Sequence, residues 1–173
     1  MSVGSKGSWD EAQIYPTAPV VVGNEIWIYY TGTNVRHTFE SLETLGQTFG
    51  GQKRLVAIGL AKLRLDGFVS IDSGATEGML LTKPLVFDGE RLIIINADSQ
   101  FASKAGYVRV ELRDREGRVI PGYEASACDP FSGNSIHHTV SWQGKTSLPE
   151  LIRQPVRLKF LLKRTKLYSF QFR

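Results

Sequence analysis

Five side chains in this sequence offer the chemistry of polyol recognition. Trp9 and Tyr29 carry rings with a polar handle, which suit the apolar face of a sugar and equally suit an inter-sheet core. His37 falls in an irregular stretch after Tyr30-Thr31-Gly32, where a loop on a rigid scaffold can aim an imidazole at a hydroxyl. Asn96 and Asp98 flank Ala97 at the end of an apolar run. Their short oxygen-bearing side chains could meet a sugar hydroxyl or a calcium ion, although an Asx-turn or a strand cap is the commoner use. Trp27 and Tyr29 share one strand face, opposite Ile26, Ile28 and Tyr30, so the aromatic pair is expected in a core or a domain interface.

The remaining reactive types make no catalytic set. Asp10 and Glu11 are adjacent, and neighbours in an extended segment point to opposite sides, so their carboxylates do not face one substrate. The same rule separates His137 from His138: His138 shares the parity of Ile136, Val140 and Trp142 and is expected to be buried and hydrogen-bonded, while His137 follows Thr139 and Ser141 to solvent. No third metal ligand stands beside them. Cys128, the single cysteine, precedes Asp129-Pro130 with no histidine in the motif, so a small buried hydrophobe is the expected role. Nucleophile-elbow, phosphate-loop and dinucleotide fingerprints are missing from the sequence. No catalytic residue, metal or cofactor is assigned.

The elements that must position these residues are strands. The chain has 173 residues, 42% hydrophobic and 22% charged, with a mean hydropathy of -0.15, enough for a sizeable core. Seventeen glycines and seven prolines punctuate it densely, and good helix formers are scattered. Residues 18–22 and 25–31 are joined by Gly23-Asn24, a strong hairpin signal. From residue 33 to 53 the alternation vanishes, leaving a long loop with at most a short helix over residues 39–45. Residues 54–65 are apolar on both parities and predict a central strand covered on both faces.

After Asp66-Gly67 come short strands over residues 68–72, 78–85, 91–97, 106–114, 135–142, 156–164 and 167–172, separated by turn pairs, with one helical turn after Ser147. Val108, Val110 and Leu112 alternate with Arg109, Glu111 and Arg113, and Val156, Leu158, Phe160 and Leu162 with Arg157, Lys159 and Lys163. The expected fold is all-β: an antiparallel β-sandwich, jelly-roll-like, over residues 72–173, with an N-terminal hairpin and long loop, residues 1–71, packed on it.

Charge and ends narrow the partners. Lys and Arg number 21 against 17 Asp and Glu, for a net charge of +4 and a pI near 9.3. The basic C-terminal residues alternate with an apolar face as a wet sheet surface does, and Phe160, Phe170 and Phe172 have core parity, so nucleic acid is a second-rank partner. The start is polar and glycine-rich, without a signal-peptide pattern, and implies a cytoplasmic chain if Met1 is the native start. No apolar run approaches the roughly 18 residues of a membrane span.

In chain order, the sequence contains GSWDE (residues 7–11), YPTAP (15–19), GNEIWIYYTG (23–32), His37, and AIGLAKLRLDGFVS (57–70). These phrases resemble the closing blade of the five-bladed β-propeller glycosidases of the invertase and arabinanase type. Residues 78–172 are similar to the β-sandwich such proteins carry after the propeller. The resemblance implies an accessory, non-catalytic role, since the blades that hold the glycosidase carboxylates are not in this chain and that chemistry needs two acids at a set separation. It implies weak binding of an oligo- or polysaccharide through Trp9, Tyr29, His37, Asn96 and Asp98. The alternative is a structural module that forms a homo-oligomer or completes another chain.

Overall fold

The computed structural model describes residues 1–35, 48–49, 52–53, 55–99 and 106–173. His37 and the short helix expected over residues 39–45 lie outside them. The described residues are all-β with no α-helix, and divide into two compact units, Met1–Arg64 and Leu65–Arg173.

In the N-terminal unit, β1 (Gln13–Pro16), β2 (Val20–Val22), β3 (Glu25–Thr33) and β6 (Val56–Arg64) form one antiparallel sheet, while β4 (Thr48–Phe49) and β5 (Gln52–Lys53) pair with each other. The hairpin expected at Gly23-Asn24 is present: Val22 faces Glu25, and Gly23 adopts φ 59°, the positive value such a turn needs. β3 is the spine. Along one edge it pairs with β2 and then β1, and along the other with β6 over its full length, from Glu25–Arg64 to Thr33–Val56.

Here the structure corrects the sequence reading. β6 pairs only with β3 among the described residues, and is an edge strand with Val56, Ile58 and Leu60 exposed. Apolar residues on both parities normally signal cover on both faces; in this strand the cover is not supplied by the described residues. Ile26 is the one large apolar side chain of the unit that is fully buried among them.

The C-terminal unit is a sandwich of two antiparallel sheets around one apolar core. One sheet joins β8 (Gly78–Leu81), β13 (Arg157–Lys163) and β10 (Tyr107–Arg113), and the other joins β7 (Ile71–Asp72), β14 (Lys166–Phe172), β9 (Leu92–Asp98) and the two short strands β11 (Asn134–Ser135) and β12 (His138–Thr139). The alternation expected of β10 and β13 holds, with Val108, Val110, Leu112, Leu158, Phe160 and Leu162 all buried. Glu111 departs from it. Its carboxylate lies on the outer face yet is covered, ion-paired to Arg113 at 2.8 Å and accepting from the Ala125 amide.

In β14 the register shifts around Ser169, so that Leu167 pairs with Ala97 and Phe170 with Ile94. That bulge changes the parity of the strand and lets Leu167, Phe170 and Phe172 all serve the core. The strand expected over residues 135–142 is broken into β11 and β12. The Ser135 hydroxyl accepts from the His137 amide at 3.0 Å, a local bond that competes with the ladder. Pro149–Leu151 forms the expected single helical turn, as a 3-10 turn.

The outer edge of β10 is closed by side chains as well as backbone. The Val110 amide donates to Cys128 Sγ at 3.2 Å, and Trp142 Nε1 donates to the Val110 carbonyl at 2.9 Å. Phe131 exchanges both backbone bonds with Val108, while the Leu112 amide donates to the Tyr123 carbonyl and the Leu112 carbonyl accepts from the Ile120 amide. An edge satisfied in this way is not open to another strand.

Candidate functional site

The phrases GSWDE, YYTG and IGLA meet on one face of the N-terminal sheet. Trp9 lies flat on Tyr30, with ring centroids 5.6 Å apart and planes 13° from parallel. Asp10 accepts from the Tyr30 hydroxyl at 2.9 Å and from the Ser8 hydroxyl at 2.8 Å. The Ser8 bond, followed by the Tyr30 bond, holds the Asp10 carboxyl below the usual carboxylate range, and the same carboxylate pushes the Tyr30 phenol up.

Two glycines make room for these rings. A Cβ at Gly32 would stand 2.5 Å from Cζ3 of Trp9, and one at Gly59 would stand 2.6 Å from Cε1 of Tyr30. The motif glycines are therefore spaces that aromatic rings fill, and the acid of GSWDE is a latch on Tyr30. Trp9 is half-buried in that stack.

The opposite face is open. Cross-strand pairing brings Tyr15, Val20, Val22, Trp27, Tyr29, Val56, Ile58, Leu60 and Lys62 to one side, because paired residues and their second neighbours share a face. Of these, Ile58 is 77% exposed and Val20, Val56 and Tyr15 about half exposed, with Tyr29 at 43%. Trp27 and Tyr29 sit edge to face at 6.4 Å, and the Lys62 ammonium lies 4.4 Å from the Trp27 ring. Glu25 accepts from Trp27 Nε1 at 2.7 Å and from Lys62 at 3.3 Å, so its carboxyl is held below the ordinary range, first by the Trp27 bond. The charged groups gather at the Glu25 end, and beyond them the face is aliphatic and aromatic apart from Thr31, Thr33 and Gln13. Comparison with protein-family models, curated proteins and solved structures finds no match. Function rests on this chain's own residues.

The five side chains singled out from sequence do not converge. Trp9 belongs to the covered face, Tyr29 to the open one, and Asn96 and Asp98 to β9 of the sandwich. Asn96 has no accessible surface, and the strand runs on to Asp98. A residue so enclosed does not touch a surface ligand, and Asn96 is withdrawn from the sugar-contact set. Asp98 is half-buried, with its backbone paired to Asn134 and Lys166.

The two adjacent histidines point apart, His137 being exposed, but His138 is half-buried rather than enclosed: it lies against the Phe131 ring, centroids 4.3 Å apart, and desolvation lowers its pKa. Among the described residues no group of three or more His, Cys, Asp or Glu is placed to hold a metal ion, and no helix is long and apolar enough to cross a membrane. Sequence reasoning missed Ile58, Leu60, Val56 and Val20. For Val56, Ile58 and Leu60 the signal was present as apolar residues on both parities of β6, and was assigned to a covered strand.

Proposed function

We propose that this chain is a non-catalytic β-module of the glycosidase-accessory kind, whose N-terminal sheet docks through its open face onto another β-sheet. The observation that supports it is the concentration of exposed apolar residues on one side of β1, β2, β3 and β6. Contiguous patches of this sort mark interaction surfaces. Removing a Val, Ile or Leu side chain from water is worth about 1.5–3 kcal/mol. Val20, Val22, Val56, Ile58 and Leu60 together therefore rival the ~4–15 kcal/mol that rigid association costs. The outer edge of β6, which has no partner strand among the described residues, adds a row of backbone donors and acceptors that a second strand can satisfy. The order of phrases like those of a closing propeller blade supports the same reading, since such a blade packs its faces on neighbouring sheets.

In the purified protein the sheet available for docking is a second copy of the chain. Light scattering over a concentration series is expected to show reversible association. Ile58→Lys places a charge at the most exposed apolar position of the face, too exposed to matter for folding, and is expected to weaken association at least tenfold, on the order of the 1.4 kcal/mol that a tenfold change represents. A strict monomer at all concentrations, or association unchanged in Ile58→Lys, rejects docking through this face.

A second reading is weak sugar binding at the same place, favoured by the exposed Tyr29 ring beside Trp27, with Glu25 and Lys62 as hydrogen-bonding neighbours. Stacking and hydroxyl bonds at such a shallow patch would hold a polysaccharide loosely, without bond cleavage. Affinity electrophoresis in neutral polysaccharides tests it: retardation of the wild type that disappears in Tyr29→Ala is expected, and equal migration in every gel excludes it.

A further inference from the structure

An open cleft of about 550 Å³ in the C-terminal unit is lined by Asp88, Gly89, Glu90, Arg91, His137, Thr139 and Arg173. Its geometry is set by an antiparallel backbone pair. The Arg91 amide donates to the Arg173 carbonyl at 2.6 Å and the Arg173 amide to the Arg91 carbonyl at 2.9 Å. Residues that exchange both bonds stand directly opposite and project from the same face of the sheet. The next pair, Leu92 with Phe172, turns to the core, which leaves the two arginines on the outer face. Gly89 sits against this pair, where a Cβ would fall 2.6 Å from Cα of Arg173, so the floor of the cleft is bare backbone in close contact.

Two like charges directly opposite on paired strands repel. Nothing in the described residues relieves them: neither Arg91 nor Arg173 has a carboxylate within ion-pair distance, and the nearby Asp88 is paired with Arg153 at 3.1 Å. Two arginines projecting from one sheet face into one cleft can together accept a carboxylate through charge-assisted bonds. The remaining lining decides what carries that carboxylate. Thr139 and His137 offer a hydroxyl and an imidazole, and Glu90 and Asp88 offer acceptors for hydroxyl donors. Those same two acids disfavour a phosphodiester chain, whose closely spaced charges would fall beside them as well as beside the arginines, whereas a uronic-acid unit offers one carboxylate to the arginines and neutral hydroxyls to the acids.

We propose that the Arg91–Arg173 pair binds the carboxylate of a uronic-acid unit in an acidic saccharide, with Thr139, His137, Asp88 and Glu90 meeting its hydroxyls. This site belongs to the sandwich and does not depend on the docking face of the N-terminal sheet.

The probes are trigalacturonate and a neutral galactose trisaccharide, titrated into the full chain at low salt and followed by calorimetry and amide chemical shifts. The acidic oligomer is expected to bind, to shift the amides of Arg91, Thr139 and Arg173, and to weaken as salt is added. Arg91→Gln is expected to reduce that affinity at least about tenfold, the loss of one charge-assisted bond, while leaving the thermal midpoint of the free protein unchanged or higher. A purely structural arginine would move stability and binding in the same direction. Equal binding of the two oligomers, undiminished binding by Arg91→Gln, or no binding of trigalacturonate overturns the proposal.

Discussion

Trp142→Ala is expected to lower the stability of the sandwich by about 3–5 kcal/mol, the range for removing a large aromatic from a close-packed core. Trp142 is 2% exposed and packs edge to face on Tyr123 at 5.2 Å. Its indole also completes the edge of β10 through the bond to the Val110 carbonyl. Trp142→Phe keeps an aromatic ring but deletes the donor and part of the indole, leaving a buried carbonyl with one partner fewer, at a cost of about 1–3 kcal/mol for the bond and a further loss for the volume removed. Urea unfolding followed by far-UV circular dichroism measures both: the midpoint should fall in the order wild type, phenylalanine, alanine, with the slope unchanged. A phenylalanine variant as stable as the wild type would show that the indole bond contributes nothing and that β10 is closed by packing alone.

The second large effect is expected at Gly59. Valine is a favoured strand residue and glycine a poor one, so propensity alone predicts that Gly59→Val stabilises β6 by up to about 1 kcal/mol. The structure predicts the opposite sign. Any Cβ at this position meets the Tyr30 ring, and displacing that ring breaks the stack with Trp9 and the bond to Asp10. Overpacking of this type costs about 1–3 kcal/mol, in a unit where one large apolar side chain is fully buried among the described residues. Near-ultraviolet circular dichroism should lose the signal of the stacked rings, and thermal unfolding should begin earlier. The cause is isolated by pairing Gly59→Ala with Tyr30→Ala. If the clash carries the effect, the double variant is more stable than the sum of the two singles predicts. Additive losses would assign the cost to β6 itself.

The legible parts of this fold are those where one face is wet and the other dry. Val108, Val110 and Leu112 in β10, and Leu158, Phe160 and Leu162 in β13, alternate with charges at every outer position between them but Leu161, and a period of two leaves little choice of side. The hairpin at Gly23-Asn24 was legible for a different reason, because its turn demands residues that tolerate positive φ. β6 was misread since its composition reports that both faces need cover without reporting whether this chain provides it. The strand expected to end at residue 97 runs one residue further: Asp98 still belongs to β9, so the polar pair that looked like a strand end is divided between an enclosed side chain and a half-buried one.

The juxtaposition of Arg91 and Arg173 was invisible in sequence, as the two residues are far apart in the chain and only the pairing of β9 with β14 sets them opposite each other. Phe172 illustrates the converse. Its core role was readable from parity, and the structure adds its partner, the Phe87 ring stacked on it at 4.0 Å.

Cys128 lends the sandwich a property that its neighbours do not explain singly. The sole thiol of the chain is 4% exposed, burial pushes its pKa up, and its sulfur is occupied by the Val110 amide. A protonated, enclosed sulfur is a poor target for alkylating or oxidising reagents. Its modification must wait until the segment over β10 lifts away. The speed of labelling thus clocks how often the sandwich breathes, and the protein carries a gauge of its own opening without any added probe.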